Sequence, residues 1–429
     1  MLARHERMSD SHRRTMEKRE DKMRKRKREL IMAARTIRQL IMEREEEISA
    51  QVSSAETAAT QRTVLQMKLQ QLLREYGMAQ EVIEACRQLR EAKEAGQAAP
   101  SLTFEAKVGK LQLTAGAACW QSNKDVQEDR YILDIALESP EGHAIAGFAV
   151  LDGHSGSLCV DHVVESLRGH LQKCITAQGK LTDESLQQAV HDACLACDAE
   201  FLERARQIEV LDGSTLVLAL VYPRLEPAAE GAKASAPGPC RLLVASVGDS
   251  RAVLCRSRDS PGAADGDKQL VAMPLSEDHK PNRPDEQKRV EDLGGVIDFE
   301  GVWRVFIPGQ ASFGGQQIAR WGLAVSRSFG DLLLKEPERY DCVGVTPGGL
   351  ISVVPEMRVV DLVPGADRFV VLATDGVWDV ISNEDAVAIC AGQKTPEEAA
   401  QMLLRRTYAA NSDDNITALV LSWKGIDSL

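Results

Sequence analysis

The chain has 429 residues, 44% of them apolar, and a formal net charge of -12. That length allows one large domain with an appendage or two to three ordinary domains, and the acidic balance excludes general binding to nucleic acid or anionic membranes through the bulk surface. No window offers the ~20 apolar residues of a membrane span, no secretory apolar stretch opens the sequence, and Met1-Leu2 lacks the glycine of a myristoylation signal. A soluble protein, cytoplasmic and/or nuclear, is expected. The ten cysteines lack paired spacing, which fits reduced thiols. Cys194 and Cys197 form a CxxC inside the helix-like stretch Leu186 to Ala205 and, with no second pair to complete a zinc site, read as buried thiols.

Residues 1 to about 98 are charged, nearly free of Gly and Pro, and rich in helix formers. Leu30, Ala33, Ala34, Ile37, Leu40 and Ile41 recur at helical spacing; Leu65, Leu69, Leu72, Leu73 and Tyr76 make a second stripe that continues through Val82, Ile83, Cys86 and Leu89. A helical hairpin or short coiled coils fit, and either could bind a partner, self-associate or pack on the main domain. The basic run Lys22 to Arg28 reads as a solvated helix face, a nuclear import signal or a contact for an acidic partner. Gly96 to Ser101 supplies the linker.

From about residue 103 short β-type runs alternate with turns and longer helices. Strands are expected at Ala144 to Leu151, Ser214 to Tyr222, Arg241 to Ser246, Ala252 to Arg256, Arg358 to Leu362, Phe369 to Ala373 and Ile416 to Trp423. Helices are expected at Cys159 to Ala177, Glu184 to Arg206, Pro284 to Leu293, Asn383 to Cys390 and Pro396 to Tyr408. Strands outnumber those of an alternating βα pattern, so antiparallel sheets with helices packed outside, an α+β fold, are favoured over a doubly wound one. Pro223 to Pro239 and Ser257 to Lys268 look like insertions between strands, the first a mobile surface loop.

The run Phe148 to Gly156 delivers Asp152 and His154 two residues apart at the end of an apolar strand, a setting for a metal beside an acid-base group. Asp331, Asp375 and Asp414 recur in similar settings far away, which suggests a polycarboxylate site built from distant strands. Hard oxygen ligands with few Cys or His suit Mg²⁺ or Mn²⁺ better than Zn²⁺. Two such ions ~3.5 to 4 Å apart can activate a water and offset phosphate charge.

The motifs fall in a definite order: Asn123 to Arg130, the Asp-Gly-His run, Asp212 to Thr215, Val247 to Leu254, Asp278 to Pro281, Ser326 to Asp331, Asp375 to Asp379, and Asp414-Asn415. Over residues 104–424 this order resembles the type 2C, or PPM, metal-dependent Ser/Thr protein phosphatases. The resemblance implies an αββα sandwich, two packed antiparallel sheets flanked by helices, that hydrolyses phosphoserine and phosphothreonine in phosphoproteins. It further implies two Mg²⁺ or Mn²⁺ ions bridged by a water and by Asp152, with Glu128 and the Gly153 carbonyl on one ion and Asp331 and Asp414 on the other. His154 is placed as general acid for the leaving oxygen, Asp129 supports Glu128 or waters, and Asp375 supports the metal site from behind. Asp249 with Arg251 reads as an internal ion pair, Asp278 and His279 as structural, and Trp378 as core.

Three positions depart from the pattern. Lys124 stands where an Arg often grips the phosphate, and it offers a point charge in place of a bidentate fork. Val210 stands where some members have an Asp for a third ion, with Asp212 out of register. The stretch Gly295 to Leu323 is long and carries Trp303, Phe306, Phe313 and Trp321, as expected of a partly apolar lid that borders the active site and shapes substrate choice. The competing reading is a catalytically weak phosphatase-like protein that recruits partners through its N-terminal helices. Retention of Asp152, Asp331, Asp414, Glu128 and His154 favours the enzyme.

Overall fold

The computed structural model describes residues 103–424 except 125, 225–239, 260–267, 310, 314–315, 319–320, 341–344, 346–348 and 364. The expected helical extension at 1–98, its basic run, and most of both insertions lie outside the described residues.

Strands β1 (Thr103–Val108), β2 (Leu111–Trp120), β3 (Asp129–Glu138) and β4 (Ala144–His154) come first. Helices α1 (Leu158–Ala177) and α2 (Asp183–Ile208) follow, then β5 (Gly213–Ser214), β6 (Leu216–Pro223), β7 (Cys240–Val247), β8 (Arg251–Asp259) and β9 (Lys268–Pro274). Next are α3 (Pro284–Asp292), β10 (Val296–Glu300), β11 (Val302–Phe306), β12 (Ala311–Phe313), β13 (Gln316–Ile318), β14 (Gly322–Leu323), β15 (Phe329–Gly330) and α4 (Leu332–Lys335). The chain closes with β16 (Glu356–Asp361), β17 (Asp367–Ala373), α5 (Asp375–Trp378), α6 (Asn383–Ala391), α7 (Pro396–Ala409) and β18 (Ile416–Lys424). The helices and strands expected beyond residue 103 are all present, with ends shifted by a few residues at most.

One sheet runs β1-β2-β18-β17-β8-β9; the other runs β15-β5-β4-β6-β7-β16, with β3 paired to β4. Every named pair is antiparallel. Period-two alternation on β4 divides its side chains between two cores. Phe148 and Val150 join Leu113, Val370, Leu372, Leu419 and Leu421 between the sheets, whereas Ala149 and Leu151 join Val163, Leu167, Val190 and Phe201 beneath α1 and α2. On the opposite side α7 packs on β2 and β18, which completes the αββα layering. Each fully buried Leu or Phe in these layers contributes on the order of 2 kcal/mol.

Local chemistry starts the helices where they are needed. Thr182 and Ser185 form a reciprocal capping box on α2, and Thr395 caps α7 ahead of Pro396 in the first turn; such caps satisfy amides that the helix leaves unpaired. Cys194 and Cys197 both lie in the α2 core, and burial pushes the Cys197 thiol up to about 12. Among the described residues no helix is long and apolar enough to cross a membrane.

The segment expected as one lid divides in two. Val305 and Phe306 are buried, and Val305 packs with Val290, Leu323 and Leu350 in a third core. Among the described residues the tip of the β10–β11 hairpin projects, where Phe299 and Trp303, 57% and 41% exposed, meet edge to face at 5.4 Å. Phe306 therefore belongs to the scaffold, while Phe299 and Trp303 face outward.

Glu286 on α3 locks this region to the rest. Its carboxylate takes Arg327 at 2.7 Å and Arg289 at 2.8 Å while remaining 2% exposed. Burial opposes its ionisation, but the hydrogen bonds from Arg327 and Arg289 outweigh burial and hold it down at about 2. A depressed carboxylate contributes stability above its unfolded value of about 4.3 and loses it as pH falls toward 2. Glu286→Gln is expected to cost about 3 kcal/mol at pH 7, and the gap to wild type should close between about pH 4.3 and 2. Thermal unfolding across that window tests this; a gap that persists at pH 2 contradicts it.

Candidate active site

The carboxylates gather at one end of the sandwich because strand ends from both sheets meet there. Strand β4 delivers Asp152, Gly153 and His154 at its terminus, and β3 places Asp129 directly opposite Asp152. The two-residue strand β5 then joins the sequence-distant parts. Gly213 pairs with His154 on one side and with Gly330 on the other, so His154 and Asp331 come together although 177 residues separate them. The other sheet contributes Asp375, the first residue of α5 after β17, and Asp414 just ahead of β18.

Close approach explains two glycines here. A Cβ on Gly213 would overlap both His154 Nε2 and Asp331 Oδ2, so any larger residue would separate them. A Cβ on Gly153 would sit 2.7 Å from the Glu128 carbonyl, where the Gly153 amide now donates a hydrogen bond at 3.2 Å.

His154 Nε2 lies 2.9 Å from Asp331 Oδ2. Burial disfavours the imidazolium, but the Asp331 carboxylate outweighs burial and the net direction is upward. Ser328 Oγ donates to the same carboxylate at 2.5 Å. The Glu128 carboxylate accepts from the Gly156 amide at 2.7 Å, and its amide donates to Asn415 Oδ1 at 2.8 Å. Asn415 also donates to the Gln121 and Val126 carbonyls. It thus ties the loop carrying Lys124 and Glu128 to the start of β18. Lys124 Nζ rests 2.9 Å from Asp414 Oδ1, both side chains nearly half exposed; burial disfavours the ammonium, and the Asp414 interaction more than offsets it.

Asp129, expected to support Glu128 or waters, lies inside the protein opposite Asp152. It is 1% exposed and accepts from Thr374 Oγ1 at 3.0 Å, while its Oδ1 is buried without a partner. Burial pushes it up to about 7 against the hydrogen bonds from Thr417 and Thr374. The expected Asp249–Arg251 pair is also replaced. Asp249 takes Lys280 at 2.5 Å and Arg251 takes Asp278 at 2.7 Å, beside the turn that Gly248, at φ 99°, makes ahead of β8. Arg251 instead stacks 5.3 Å over Trp378, which is in the core as expected. Lys280, whose role the sequence did not disclose, also reaches within 3.7 Å of Asp375.

Charge defines what this arrangement can hold. Asp152 is pushed well above the ordinary carboxylate value first by burial, then by Asp129, Asp375, Asp249 and Asp414; Asp375 is raised by burial and by Asp249. A cluster of buried and half-buried carboxylates that repel one another, with an orphaned oxygen on Asp129, is a donor set for hard divalent cations. The residues present therefore fit Mg²⁺ or Mn²⁺. Among the described residues no three His, Cys, Asp or Glu side chains already converge as a closed ligand group; Asp331 faces His154, Asp414 faces Lys124 and Asp249 faces Lys280. Val210 packs against the apolar core under α2, and the Asp212 carboxylate accepts from the Leu158 amide at 2.8 Å.

A layered sandwich with carboxylates crowded at one end is an architecture suited to holding divalent cations. The profile of the protein phosphatase 2C family matches residues 114–416. "Probable protein phosphatase 2C 45" of Oryza sativa subsp. japonica is 34% identical over 306 residues, covering 71% of this chain and 86% of that protein. "Probable protein phosphatase 2C 59" of Arabidopsis thaliana is 33% identical over 306 residues, covering 71% and 78%. The fold is shared with the crystal structure of a serine-threonine phosphatase 2C from Toxoplasma gondii, with TM-score 0.55 and 23% identity over 76% of this chain and all of that one. The chain belongs to the protein phosphatase 2C family. It is a metal-dependent protein serine/threonine phosphatase, and its substrates are phosphoproteins.

Proposed function

We propose that the phosphatase works through a two-ion site that Asp152, Glu128, the Gly153 carbonyl, Asp331 and Asp414 would hold, with Asp152 as the central ligand. When bound, Mg²⁺ or Mn²⁺ at this site lowers the pKa of a water and offsets phosphate charge. The observation that carries this reading is the mutual repulsion around Asp152, which a cation relieves and nothing else at the site fully does. Asp129 and Asp375 surround that carboxylate and set its charge environment.

The chain's own side chains supply the rest. Lys124 is free to exchange Asp414 for a phosphate oxygen, as a point charge without bidentate geometry. Water attacks phosphorus, the bond to the Ser or Thr oxygen breaks, and His154, in its protonated form, passes its proton to that departing oxygen. The imidazole then regains a proton from the spent water. Val210 supplies no carboxylate, so the reading needs two ions and not three. A cytoplasmic or nuclear phosphoprotein pool supplies the substrate.

The test is hydrolysis of a small aryl phosphate and a phosphothreonine peptide with Mn²⁺, Mg²⁺ or chelator, with Asp331→Asn as control. Activity should require a divalent ion and fall at least about 100-fold in the variant. Turnover that survives both chelation and the substitution overturns the two-ion reading.

A further inference from the structure

Asp331 and the preceding Gly330 occupy consecutive left-handed conformations, with φ 55° and 72°. A non-glycine residue pays for that geometry, so its surroundings must hold it. The Asp331 amide donates to the Asp212 carbonyl at 3.0 Å and the Lys335 amide donates to the Asp331 carbonyl at 3.1 Å.

Beneath them lies an ion pair outside the carboxylate cluster. Lys335 Nζ is 2.6 Å from Asp198 Oδ2, with side-chain exposures of 7% and 6%. The same ammonium donates to the Ser328 carbonyl at 2.8 Å, and Asp198 Oδ1 accepts from the Gly330 amide at 2.7 Å. One pair thus grips the chain at two points just ahead of Asp331, the Ser328 carbonyl and the Gly330 amide. Ser328, held at one of those points, passes the constraint on through its hydroxyl to Asp331 Oδ2.

Stability is a poor reason for such a pair, because burying two charges costs nearly what their attraction returns, and apolar replacements of similar volume are often neutral. Fixing one backbone geometry is a better one. We propose that Asp198 and Lys335 are positioning residues that aim the Asp331 carboxylate at the metal centre, so that α2, which carries no ligand of its own, sets the geometry of one. This rests on the reading of Asp331 as a ligand.

The experiment uses the full chain with Asp198→Leu/Lys335→Met, Asp198→Asn and Asp331→Asn. Metal-free melting temperature, the Mn²⁺ dissociation constant by calorimetry, and kcat and KM for an aryl phosphate are measured for each. The double variant removes both charges together and should melt within a few degrees of wild type, yet bind Mn²⁺ about 10- to 100-fold more weakly, with kcat falling more than KM changes. Unchanged Mn²⁺ affinity in the folded double variant, beside weakened binding in Asp331→Asn, overturns the inference alone. Unchanged affinity in Asp331→Asn overturns the ligand reading and the inference with it. If the double variant fails to fold, Asp198→Asn keeps the volume and the Gly330 acceptor but faces Lys335 with an amide, and its Mn²⁺ affinity decides in the same way.

Discussion

Asp152→Asn is expected to lower kcat about 10³-fold while raising the melting temperature of the metal-free protein. The first effect follows from removing the central ligand of the two ions: several kcal/mol of transition-state stabilisation depend on their placement, and about 4 kcal/mol corresponds to three orders of magnitude. The second follows from the neighbours. Burial, Asp129, Asp375, Asp249 and Asp414 all act against the ionised Asp152, so the charged form destabilises the metal-free fold. With a folded pKa above the unfolded value of about 3.9, the native state holds a proton that the unfolded chain releases, and stability falls as pH rises from that value through the folded pKa. Asparagine keeps the shape and removes the charge. The gain should therefore be largest near pH 8 and vanish toward pH 4. Thermal unfolding with chelator at both pH values checks it, and a lower melting temperature for the variant at pH 8 contradicts the electrostatic account. Function here is held at the expense of stability, as is common where activity needs an unfavourable arrangement.

The sequence marks Asp152, His154 and Asp375 because each ends or follows an apolar strand that alternation or composition shows clearly, and Asp414 because it sits just ahead of one. What it left out depends on contacts between distant segments. Strand β2 contains Ala115, Gly116, Ala117 and Ala118, poor strand formers, and its conformation is set by pairing with β18 and by α7 packed on it. The exchange of partners among Asp249, Arg251, Asp278 and Lys280 occurs beside the turn at Gly248, and spacing along the chain does not encode it. Asp198 reads as an exposed helix position until the tertiary fold buries it against Lys335. In the lid segment, aromatic residues of the same type divide between scaffold and surface: Phe306 inward, Phe299 and Trp303 outward. Only the pairing of β10 with β11 and of β11 with β14 decides which.

Lys280→Met is expected to destabilise the metal-free protein strongly and to be partly rescued by Mn²⁺. Lys280 Nζ lies 2.5 Å from Asp249, whose side chain is 4% exposed, and 3.7 Å from Asp375. Burial disfavours the ammonium, yet Asp249 and Asp375 together raise its pKa well beyond the ordinary lysine value. Removing one member of a buried pair costs about 3 to 5 kcal/mol because the other charge is left uncompensated; with Lys280 itself a third exposed, about 3 kcal/mol is the better figure. For a domain of this size that corresponds to a drop of roughly 4 to 5 °C. An opposing effect acts on metal binding. Without its internal cation the cluster is more negative, and one unit charge at ~4 Å is worth about 4 kcal/mol at an effective dielectric of 20, so added divalent ions supply the missing positive charge. The gap in melting temperature between wild type and variant should therefore narrow as Mn²⁺ is titrated, and Lys280→Arg, which keeps the charge, should show a smaller gap from the start. A gap that Mn²⁺ leaves unchanged would mean that Lys280 matters for the packing of its methylene stem and not for the charge it sets against Asp249 and Asp375.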